Sequence, residues 1–405
     1  MIDFSTLQGL TIPEGVVTEI KDASGRVLWM LSGGKVILEV EKITSDTYAG
    51  ETTYTGEQFI LLDIYPKSAN SKVDVTYGGL TKTLTFSGTN TQQVYFGTFN
   101  GVSDEVGTPA SGELTIDGGY KAFAIGTYKT YNSSASKTTT KYCSCITNIT
   151  DWGGVNYIPN YAFYECTNLA LTELPNGITS IGEAAFNSCT NLALTELPNS
   201  ITSIGGNAFY RCTNLALTEL PNSITSIGNR VFYGCDALAL TELPSGITSI
   251  GEYAFYSCDA LALTSLPEGV ISIGNYAFNY CKNLALTSLP EGVVNIGDCA
   301  FAMGKDNKGM YDTAMGGVSF TLPSTVQSIG TTAFAGAYGD SSSFGSCYIK
   351  EITILATVPP TTTNPLGQAG PNHGGGSIIV PAGCGEAYKT AEGWNKYADQ
   401  IVEAS

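Results

Sequence analysis

Histidine is almost missing from this chain: its 405 residues include one, His373. It lies in the glycine-rich stretch 371–376, which composition indicates is a loop, so a Ser/His/Asp or Cys/His arrangement would have to be assembled there. The sequence has no phosphate-binding Gly-Lys-Ser/Thr loop, no dinucleotide fingerprint and no zinc-type spacing, and Cys143-Ser144-Cys145 has no histidine nearby. We therefore expect no catalytic residues, no metal site and no cofactor, and we predict that the protein is not an enzyme.

Charged residues are also scarce, at 14% of the chain, and they are unevenly divided. Nineteen Lys and Arg stand against 36 Asp and Glu, which leaves a formal net charge of -17. A surface with this excess of carboxylates repels phosphate groups. Nucleic acid and anionic lipid are therefore not expected as partners.

Long apolar runs are absent, and none approaches the ~18–20 residues that a membrane-spanning helix needs. The N-terminus also lacks the basic region followed by an apolar core that marks a secretory signal. We expect a protein that does not insert into membranes and that is made in a host cytoplasm without a signal peptide.

What the chain does have is a repeat. A block of 23 residues returns with few changes. A strict period of this length, with apolar positions constant and polar positions variable, indicates a solenoid whose coils bury their apolar faces against each other. The constant residues are Cys166, Cys189, Cys212, Cys235, Cys258 and Cys281; Phe163, Phe186, Phe209, Phe232, Phe255, Phe278 and Phe301; and Ile181, Ile204, Ile227, Ile250, Ile273 and Ile296.

The pattern Leu-Pro-x-x-Ile-x-x-Ile-Gly-x-x-Ala-Phe-x-x-Cys-x-x-Leu resembles the BspA-type leucine-rich repeat, and the resemblance extends over residues 145–405. That family is found in bacterial surface proteins, in some protist proteins and in phage-encoded proteins. The resemblance implies a leucine-rich-repeat solenoid with an adhesive role. In this chain the segment 169–175 shifts one apolar residue by one place, which leaves open which of its side chains face inward.

The predicted fold class is mainly β and multidomain. Residues 35–135 are predicted to form an immunoglobulin-like β-sandwich, because seven alternating apolar and polar runs are separated by turns. The Ser/Thr/Lys stretch 133–141 is expected to be a linker. Residues 136–345 form the solenoid, with inserted loops at 304–317 and 338–346. Residues 346–405 form a last repeat and a cap, ending in a strand and a helix that carries Tyr388, Trp394, Tyr397 and Ile401.

Residues 1–34 are predicted to be a docking segment, because they contain more apolar residues than so short a piece can cover. Short strands should form there, with a hairpin turning at 22–25. The opening Ile-Asp-Phe-Ser-x-Leu-x-Gly-Leu-x-Ile-Pro-Glu-Gly is similar to the start of proteins encoded beside tail genes in phages and prophages of gut Firmicutes. This resemblance implies attachment to other virion proteins. The docking residues are Phe4, Leu7, Leu10, Ile12 and Trp29.

The six periodic cysteines allow two interpretations. Equivalent residues of stacked coils lie about 4.8 Å apart, so neighbouring thiols approach disulfide range, although their side chains point the same way. Alternatively, they form a column of buried free thiols that pack as small apolar groups, which we favour.

Two sets of outward-facing residues are candidates for binding. The first set is a column of glutamates, in which adjacent carboxylates repel by roughly 0.8 kcal/mol in water, so folding alone would not favour it. The column could bind a basic partner or a divalent cation. Alternatively, it is a solvent-exposed edge that was duplicated with the repeat, which is the interpretation we favour. Tyrosines that flank the recurring phenylalanine suit protein and sugar recognition, although some must pack between coils. The glutamates are Glu173, Glu196, Glu219 and Glu242, and the tyrosines are Tyr164, Tyr210, Tyr233, Tyr256, Tyr276 and Tyr280, with Tyr161, Tyr253, Arg211 and Arg230 nearby.

These observations favour a non-enzymatic virion protein of a phage or prophage, of fibre, tail or head-decoration type. Residues 1–34 would hold it to the particle as a homo-oligomer, and the solenoid would bind a host-surface or mucosal protein or glycan. The alternative is a BspA-like adhesin on a bacterial surface. A third, more distant interpretation is a carbohydrate-active enzyme with accessory modules.

Overall fold

The chain folds into two compact units, which are described separately. The regular structure is mainly β, with little helix. The computed structural model describes residues 19–21, 27–30, 36–40, 47–48, 51–52, 59–99, 102–103, 112–118, 120–125, 127–132, 137–142, 146–302, 319–334, 351–367 and 377–405.

A hairpin near the N-terminus agrees with the prediction for this region. Strand β1, Glu19–Lys21, pairs antiparallel with β2, Val27–Met30, and the backbone of Trp29 lies opposite Ile20. The other docking residues, Phe4, Leu7, Leu10 and Ile12, lie outside the described residues. Their docking role therefore stays a prediction.

All seven strands expected between residues 35 and 125 are present. In three of them the inward residues Leu62, Val75 and Ile116 are fully buried, as an alternating pattern predicts. The strands are β3 Val36–Val40, β6 Phe59–Pro66, β7 Lys72–Tyr77, β8 Leu80–Thr85, β9 Gln92–Phe99, β10 Val102–Ser103, β11 Gly112–Gly118, β12 Tyr120–Ile125 and β15 Ile146–Trp152, with a small separate pair, β4 Thr47–Tyr48 and β5 Glu51–Thr52. Two sheets form, in the orders β10-β9-β6-β12 and β15-β3-β11-β7-β8. The assignment to an immunoglobulin-like sandwich stays a prediction.

The expected linker at 133–141 is wrong for most of its length. Strand β14, Lys137–Tyr142, pairs antiparallel with β13, Thr127–Asn132, with Thr139 opposite Thr130. The prediction took serine, threonine and lysine as linker composition. Three consecutive threonines are β-branched, however, and favour an extended strand wherever a partner strand is available.

The repeats form a solenoid, as the 23-residue period predicted. Each coil contributes one short strand, and equivalent residues pair in parallel, so that Ser249 lies opposite Ser272 and Ile250 opposite Ile273. These strands are β16 Ser180–Ile181, β17 Ser203–Ile204, β18 Ser226–Ile227, β19 Ser249–Ile250, β20 Ser272–Ile273, β21 Asn295–Ile296 and β23 Ser328–Ile329. The pairing runs in two stretches, β16-β17 and β18-β19-β20-β21-β23, with an interruption between β17 and β18.

The interior of the solenoid is a set of residue columns. Phenylalanine rings of successive coils stack with centroids 5.2–5.7 Å apart, as between Phe209 and Phe232 at 5.7 Å. The open question about the segment 169–175 is answered, because Leu169, Leu171 and Leu174 are all buried while Glu173 is exposed. All three leucines of this segment therefore belong to the core.

The periodic cysteines are free and fully buried, as favoured. Each of the five from the second copy onward donates its S–H to the carbonyl oxygen of the phenylalanine 26 residues earlier. Cys235 Sγ, for example, lies 3.0 Å from the oxygen of Phe209, and Cys281 Sγ lies 2.9 Å from that of Phe255. Burial raises the pKa of Cys281 to about 12. The column therefore packs as neutral thiols that link adjacent coils.

A glycine follows the strand isoleucine in each coil, because the preceding coil lies directly against it. A Cβ atom on Gly251 would lie 2.7 Å from the carbonyl carbon of Gly228, and one on Gly274 would lie 2.6 Å from the nitrogen of Glu252. Gly228 itself has more space, since its nearest contact would be a Val231 methyl at 3.4 Å. This looser position coincides with the interruption in the strand pairing.

The repeat register resumes after the first predicted insertion, as expected. Phe334 stacks on Phe301 at 5.3 Å, and β23 pairs with β21. The two predicted loops, 304–317 and 338–346, lie outside the described residues.

A four-stranded parallel sheet then continues to the C-terminus. It consists of β22 Ser319–Leu322, β24 Glu351–Ile354, β25 Ser377–Val380 and β26 Ile401–Glu403.

The predicted C-terminal helix is wrong in extent. The α-helix α1 covers only Gly385–Thr390, a 3-10 helix covers Asn395–Gln400, and Ile401 begins a strand. The α-helix ends where the backbone becomes extended at Ala391, and the chain then turns at Gly393, where φ is +79° and a Cβ atom would clash with the backbone of Thr362. The apolar residues nevertheless form a buried cluster, in which the Trp394 indole donates to the Pro360 carbonyl at 2.8 Å.

Candidate functional site

Each coil turns sharply around its buried phenylalanine, and the residues two places before and after it have a left-handed backbone. Arg230 and Tyr253 occupy the position before it, with φ of 55° and 54°, and Arg211 and Tyr280 the position after it, with φ of 56° and 63°. Hydrogen bonds to the next coil hold this geometry, since the amide of Arg230 donates to the Glu252 carbonyl at 2.9 Å. The side chains at these positions are therefore held on a regular lattice.

The fold does not require large side chains at the left-handed positions on either side of the phenylalanine. A left-handed backbone costs a residue other than glycine about 1–2 kcal/mol, yet among the coils whose turns the structure describes only one has glycine at these positions, Gly234. The position directly after the phenylalanine is equally variable, because it holds Tyr233 in one coil, Asn279 in another and Ala302 in a third. The large side chains at these positions are thus not explained by the fold.

Six tyrosines from these positions form one continuous surface, which we call the tyrosine face. One row follows the position after the phenylalanine: Tyr210 and Tyr233 stack at 4.6 Å, and Tyr233 and Tyr256 stack at 4.5 Å. Tyr280 extends this row with a tilted contact of 5.3 Å to Tyr256. All of these rings are half-buried.

A second, shorter row lies beside the first. Tyr253 and Tyr276 stack at 4.6 Å with their planes 1° apart. Tyr253 also contacts both neighbouring rings of the first row, at 6.1 Å from Tyr233 and 5.6 Å from Tyr256. The two rows therefore form a single aromatic patch across consecutive coils.

Two arginines complete the patch. The guanidinium carbon of Arg230 lies 4.8 Å from the ring centroid of Tyr253, and that of Arg211 lies 5.4 Å from Tyr210. Both distances are within the range of cation–π contacts. The whole chain has only three arginines, the third being Arg26. Two of the three therefore lie at the tyrosine face.

Two phenols of the patch have a pKa above that of a free tyrosine. Burial raises the pKa of Tyr256, and the nearby phenols of Tyr233 and Tyr280 raise it further. Burial also raises the pKa of Tyr233, while Arg211 and a hydrogen bond from Tyr256 act in the opposite direction. At neutral pH these two groups consequently offer hydroxyl donors and acceptors rather than phenolate charge.

The sequence-predicted tyrosines are brought together with one exception. Tyr210, Tyr233, Tyr256, Tyr276 and Tyr280 all belong to the tyrosine face. Tyr164 lies in an earlier coil, where its described ring contact is with Tyr161 at 6.0 Å. The sequence placed Tyr253 near these tyrosines, two places before Phe255, but did not name it as a binding residue, and the structure places it within the patch.

The predicted glutamate column is present on the outside of the coils. Glu173, Glu196, Glu219 and Glu242 are exposed, and no salt bridge involves them among the described residues. Within the part of the chain that the structure describes, no group of three or more His, Cys, Asp or Glu is placed to hold a metal ion. The choice between a binding strip and a solvated edge stays a prediction.

The helices of the described residues are all too short or too polar to cross a membrane.

Comparison with solved structures finds several chains with partial similarity. A T. pallidum leucine-rich-repeat protein is 29% identical, over 42% of this chain and 81% of that one, with a TM-score of 0.32. A leucine-rich cell surface protein of Faecalibacterium prausnitzii is 22% identical, over 64% and 76%, with a TM-score of 0.36. The pneumococcal vaccine antigen PcpA is 17% identical, over 63% and 73%, with a TM-score of 0.34. Among curated proteins, none matches the chain.

The repeat itself matches a known family profile, the BspA type leucine-rich repeat region, over residues 134–262 and 207–336. Together these two matches extend over residues 134–336, which is just over half of the chain. The protein therefore belongs to the BspA type leucine-rich repeat family.

Proposed function

We propose that the solenoid is a non-enzymatic adhesion module and that the tyrosine face is its ligand-binding surface. One observation carries this proposal: six tyrosines and two of the three arginines are collected on consecutive coils, at positions the fold leaves free. Tyrosine and arginine are enriched where proteins bind partners, because they combine contact area with hydrogen bonding. The family is one of bacterial surface and phage-encoded proteins, which agrees with adhesion.

The repeat supplies well-matched variants for a test. Tyr233→Asn and Tyr256→Asn introduce the residue found at the equivalent positions 187 and 279, so the fold is expected to tolerate them. We expect the double variant to lose at least ten-fold in binding of the full chain to immobilised intestinal mucin or cultured epithelial cells. An unchanged thermal unfolding midpoint is the control for folding. Binding equal to that of the unmodified chain would contradict the proposal.

The glutamate column is a competing surface, and the same design separates it from the tyrosine face. Glu196→Ser and Glu219→Ser introduce the residue found at the equivalent positions 265 and 288. We expect these variants to bind as the unmodified chain does, in agreement with a solvated edge. A loss of binding here, with none in the tyrosine variants, would move the ligand site to the glutamates.

We further propose that residues 1–34 attach the adhesion module to a phage or prophage particle, in several copies. The support is the similarity of this segment to the start of proteins encoded beside tail genes. Mass spectrometry of purified particles from the source strain tests the proposal, with detection at structural copy number as the expected result. Detection on the bacterial envelope and absence from particles would favour the alternative, a cell-surface adhesin.

A further inference from the structure

We infer that the ligand of the tyrosine face is a saccharide that carries a single carboxylate, with its hydroxyls on the tyrosine edges and its carboxylate on Arg211. This inference rests on the proposed adhesive function and gives the chemical class of the ligand. Three features of the patch support it: the parts of the rings that remain accessible, the location of the cations, and the charge of the surrounding coils.

The accessible part of the patch is polar. Tyr233 is stacked on both faces, by Tyr210 and Tyr256, and Tyr253 is covered by Arg230 and Tyr276. Their flat apolar faces are therefore occupied, and the ligand meets ring edges and hydroxyl groups. Protein interfaces are usually centred on an apolar core, whereas a row of phenol groups suits a partner that is itself covered with hydroxyls.

The larger exposed apolar residues of the described chain do not belong to this patch. They are Ile271, Leu355, Val358, Val402 and Tyr161, and none of them is a member of the tyrosine face. A protein partner that docked on the patch would find no aliphatic anchor among these residues. This distribution again favours a saccharide.

Basic residues are scarce in the coils between residues 146 and 302, and two of the three lie at the patch. Residues 146–302 contain thirteen Asp and Glu but only three basic residues, Arg211, Arg230 and Lys282. Arg230 pairs with Glu252 at 3.7 Å, and Lys282 pairs with Asp259 at 2.7 Å. Arg211 is exposed and forms no salt bridge with the described residues.

Arg211 is thus a cation left available beside the phenols of Tyr210 and Tyr233. A guanidinium fork binds a carboxylate through two parallel hydrogen bonds. Because the chain carries a formal net charge of -17, a polyanion would be repelled by the surrounding carboxylates. A ligand with one carboxylate among neutral hydroxyls fits both conditions.

The test compares three probes against the full chain by isothermal titration calorimetry: lactose, sialyllactose and heparin. Lactose and sialyllactose form a matched pair that differs by one carboxylate-bearing sugar. We expect sialyllactose to bind at least ten-fold more tightly than lactose, with this preference weakening as salt is raised, and heparin to bind more weakly than sialyllactose. Equal binding of the two matched probes, no binding of either, or preferential binding of heparin would overturn the inference.

Arg211→Ser gives the residue-level test, because serine occupies the equivalent left-handed positions 188 and 257. We expect this variant to bind sialyllactose no better than lactose, while lactose still binds. Lys282→Thr, which copies the equivalent positions 190 and 213 and removes a cation that is not a member of the tyrosine face, is the matched control and is expected to keep the preference. A preference that survives in Arg211→Ser would overturn the assigned contact.

Failure of the inference can be distinguished from failure of the proposed function. If neither saccharide binds but the tyrosine variants still lose adhesion to cells, the face is a ligand site for a protein, and only the ligand class is wrong. If the tyrosine variants adhere as the unmodified chain does, the adhesive role of the tyrosine face is itself contradicted.

Discussion

The inside and the outside of the same coils obey different rules. Inside, each column repeats one residue type, as with the stacked rings of Phe209, Phe232 and Phe255 and the thiols that donate to the preceding coil. Outside, the positions that flank these rings vary from tyrosine and arginine to asparagine, serine and alanine. The interior residues are constant because the stacking of one coil on the next requires them. The outer residues vary because this stacking does not depend on them.

This difference separates the residues that stacking requires from those that it leaves free. The Phe232 ring, for example, contacts its copies in both adjacent coils, so a change there removes contacts on both sides. An exterior side chain such as Tyr233 can change without altering the backbone ladder, because the ladder is formed by hydrogen bonds between main-chain atoms of adjacent coils. The outer surface can therefore differ from coil to coil on a constant core.

The largest expected difference in the free energy of unfolding is between substitutions of two neighbouring residues, one inside the coil and one outside it. Phe232→Ala should lower the free energy of unfolding by about 3–5 kcal/mol, because it opens a cavity between two stacked rings. Tyr233→Asn should cost less than about 1 kcal/mol, since asparagine occurs at the same position in other coils. Guanidinium unfolding followed by circular dichroism measures both. Equal losses would show that the outer columns are also structural.

The glycine positions sharpen the comparison between one coil and another. Gly251→Ala should cost about 1–3 kcal/mol, because its new Cβ would press on backbone that must shift. Gly228→Ala is the matched control, and its effect should be clearly smaller because its nearest neighbour would be a side-chain methyl at 3.4 Å. The same unfolding assay applies. If Gly228→Ala were the more damaging change, the coils would not be spaced as described.

Alkaline pH tests the thiol column of the interior. Burial raises the pKa of Cys281 to about 12, whereas an unfolded cysteine titrates near about 8.5. Between these values the folded state holds a proton that the unfolded state releases, so stability is complete below the lower pKa and decreases as pH rises through the window. As pH rises from about 9 to about 10, the free energy of unfolding should therefore decrease by roughly 1 kcal/mol for each such thiol.

Cys281→Ala should therefore make the decline of unfolding free energy between pH 9 and 10 less steep. Leu284→Ala is the control, because it removes apolar volume from the same coil but no titrating proton. The quantity to compare is the slope against pH rather than the stability itself. An identical slope in Cys281→Ala and the unmodified chain would mean that the thiol is not held neutral by burial.

The smallest effect is expected at the glutamate column. Glu196→Ser should change the free energy of unfolding by no more than about 0.5 kcal/mol, as exposed substitutions usually do. The change should be slightly stabilising at low salt, because it removes like-charge repulsion, and it should vanish at high salt. A clear destabilisation would show that the carboxylate has a structural partner.

Several features of the fold were predictable because they depend on local spacing. Ile250 and Ile273 are 23 residues apart, so any solenoid of this period places them side by side, and the strands of residues 35–125 follow from alternating apolar residues. Other features were not predictable. The stretch 133–141 was predicted to be a linker, because the pairing of Lys137–Tyr142 with Thr127–Asn132 depends on a partner strand, which composition does not reveal.

The candidate site divides in the same way. That Tyr210, Tyr233 and Tyr256 lie outside the core and in one column follows from their common register beside the phenylalanine. Their ring-to-ring stacking, the crossing contacts of Tyr253, and the position of Arg230 over that ring depend on how sharply each coil turns. Register determines which residues are neighbours, while the left-handed turns determine which way they face.

By itself, the amino-acid sequence determined that this protein is a stack of 23-residue coils with phenylalanine, cysteine and isoleucine inside, because a fixed period superimposes each residue on its own copies. Only the tertiary structure decided that tyrosines from three different registers meet in one aromatic surface with arginines beside it. The reason is that contacts between unlike positions depend on the path of the backbone around each turn, which spacing along the chain does not specify.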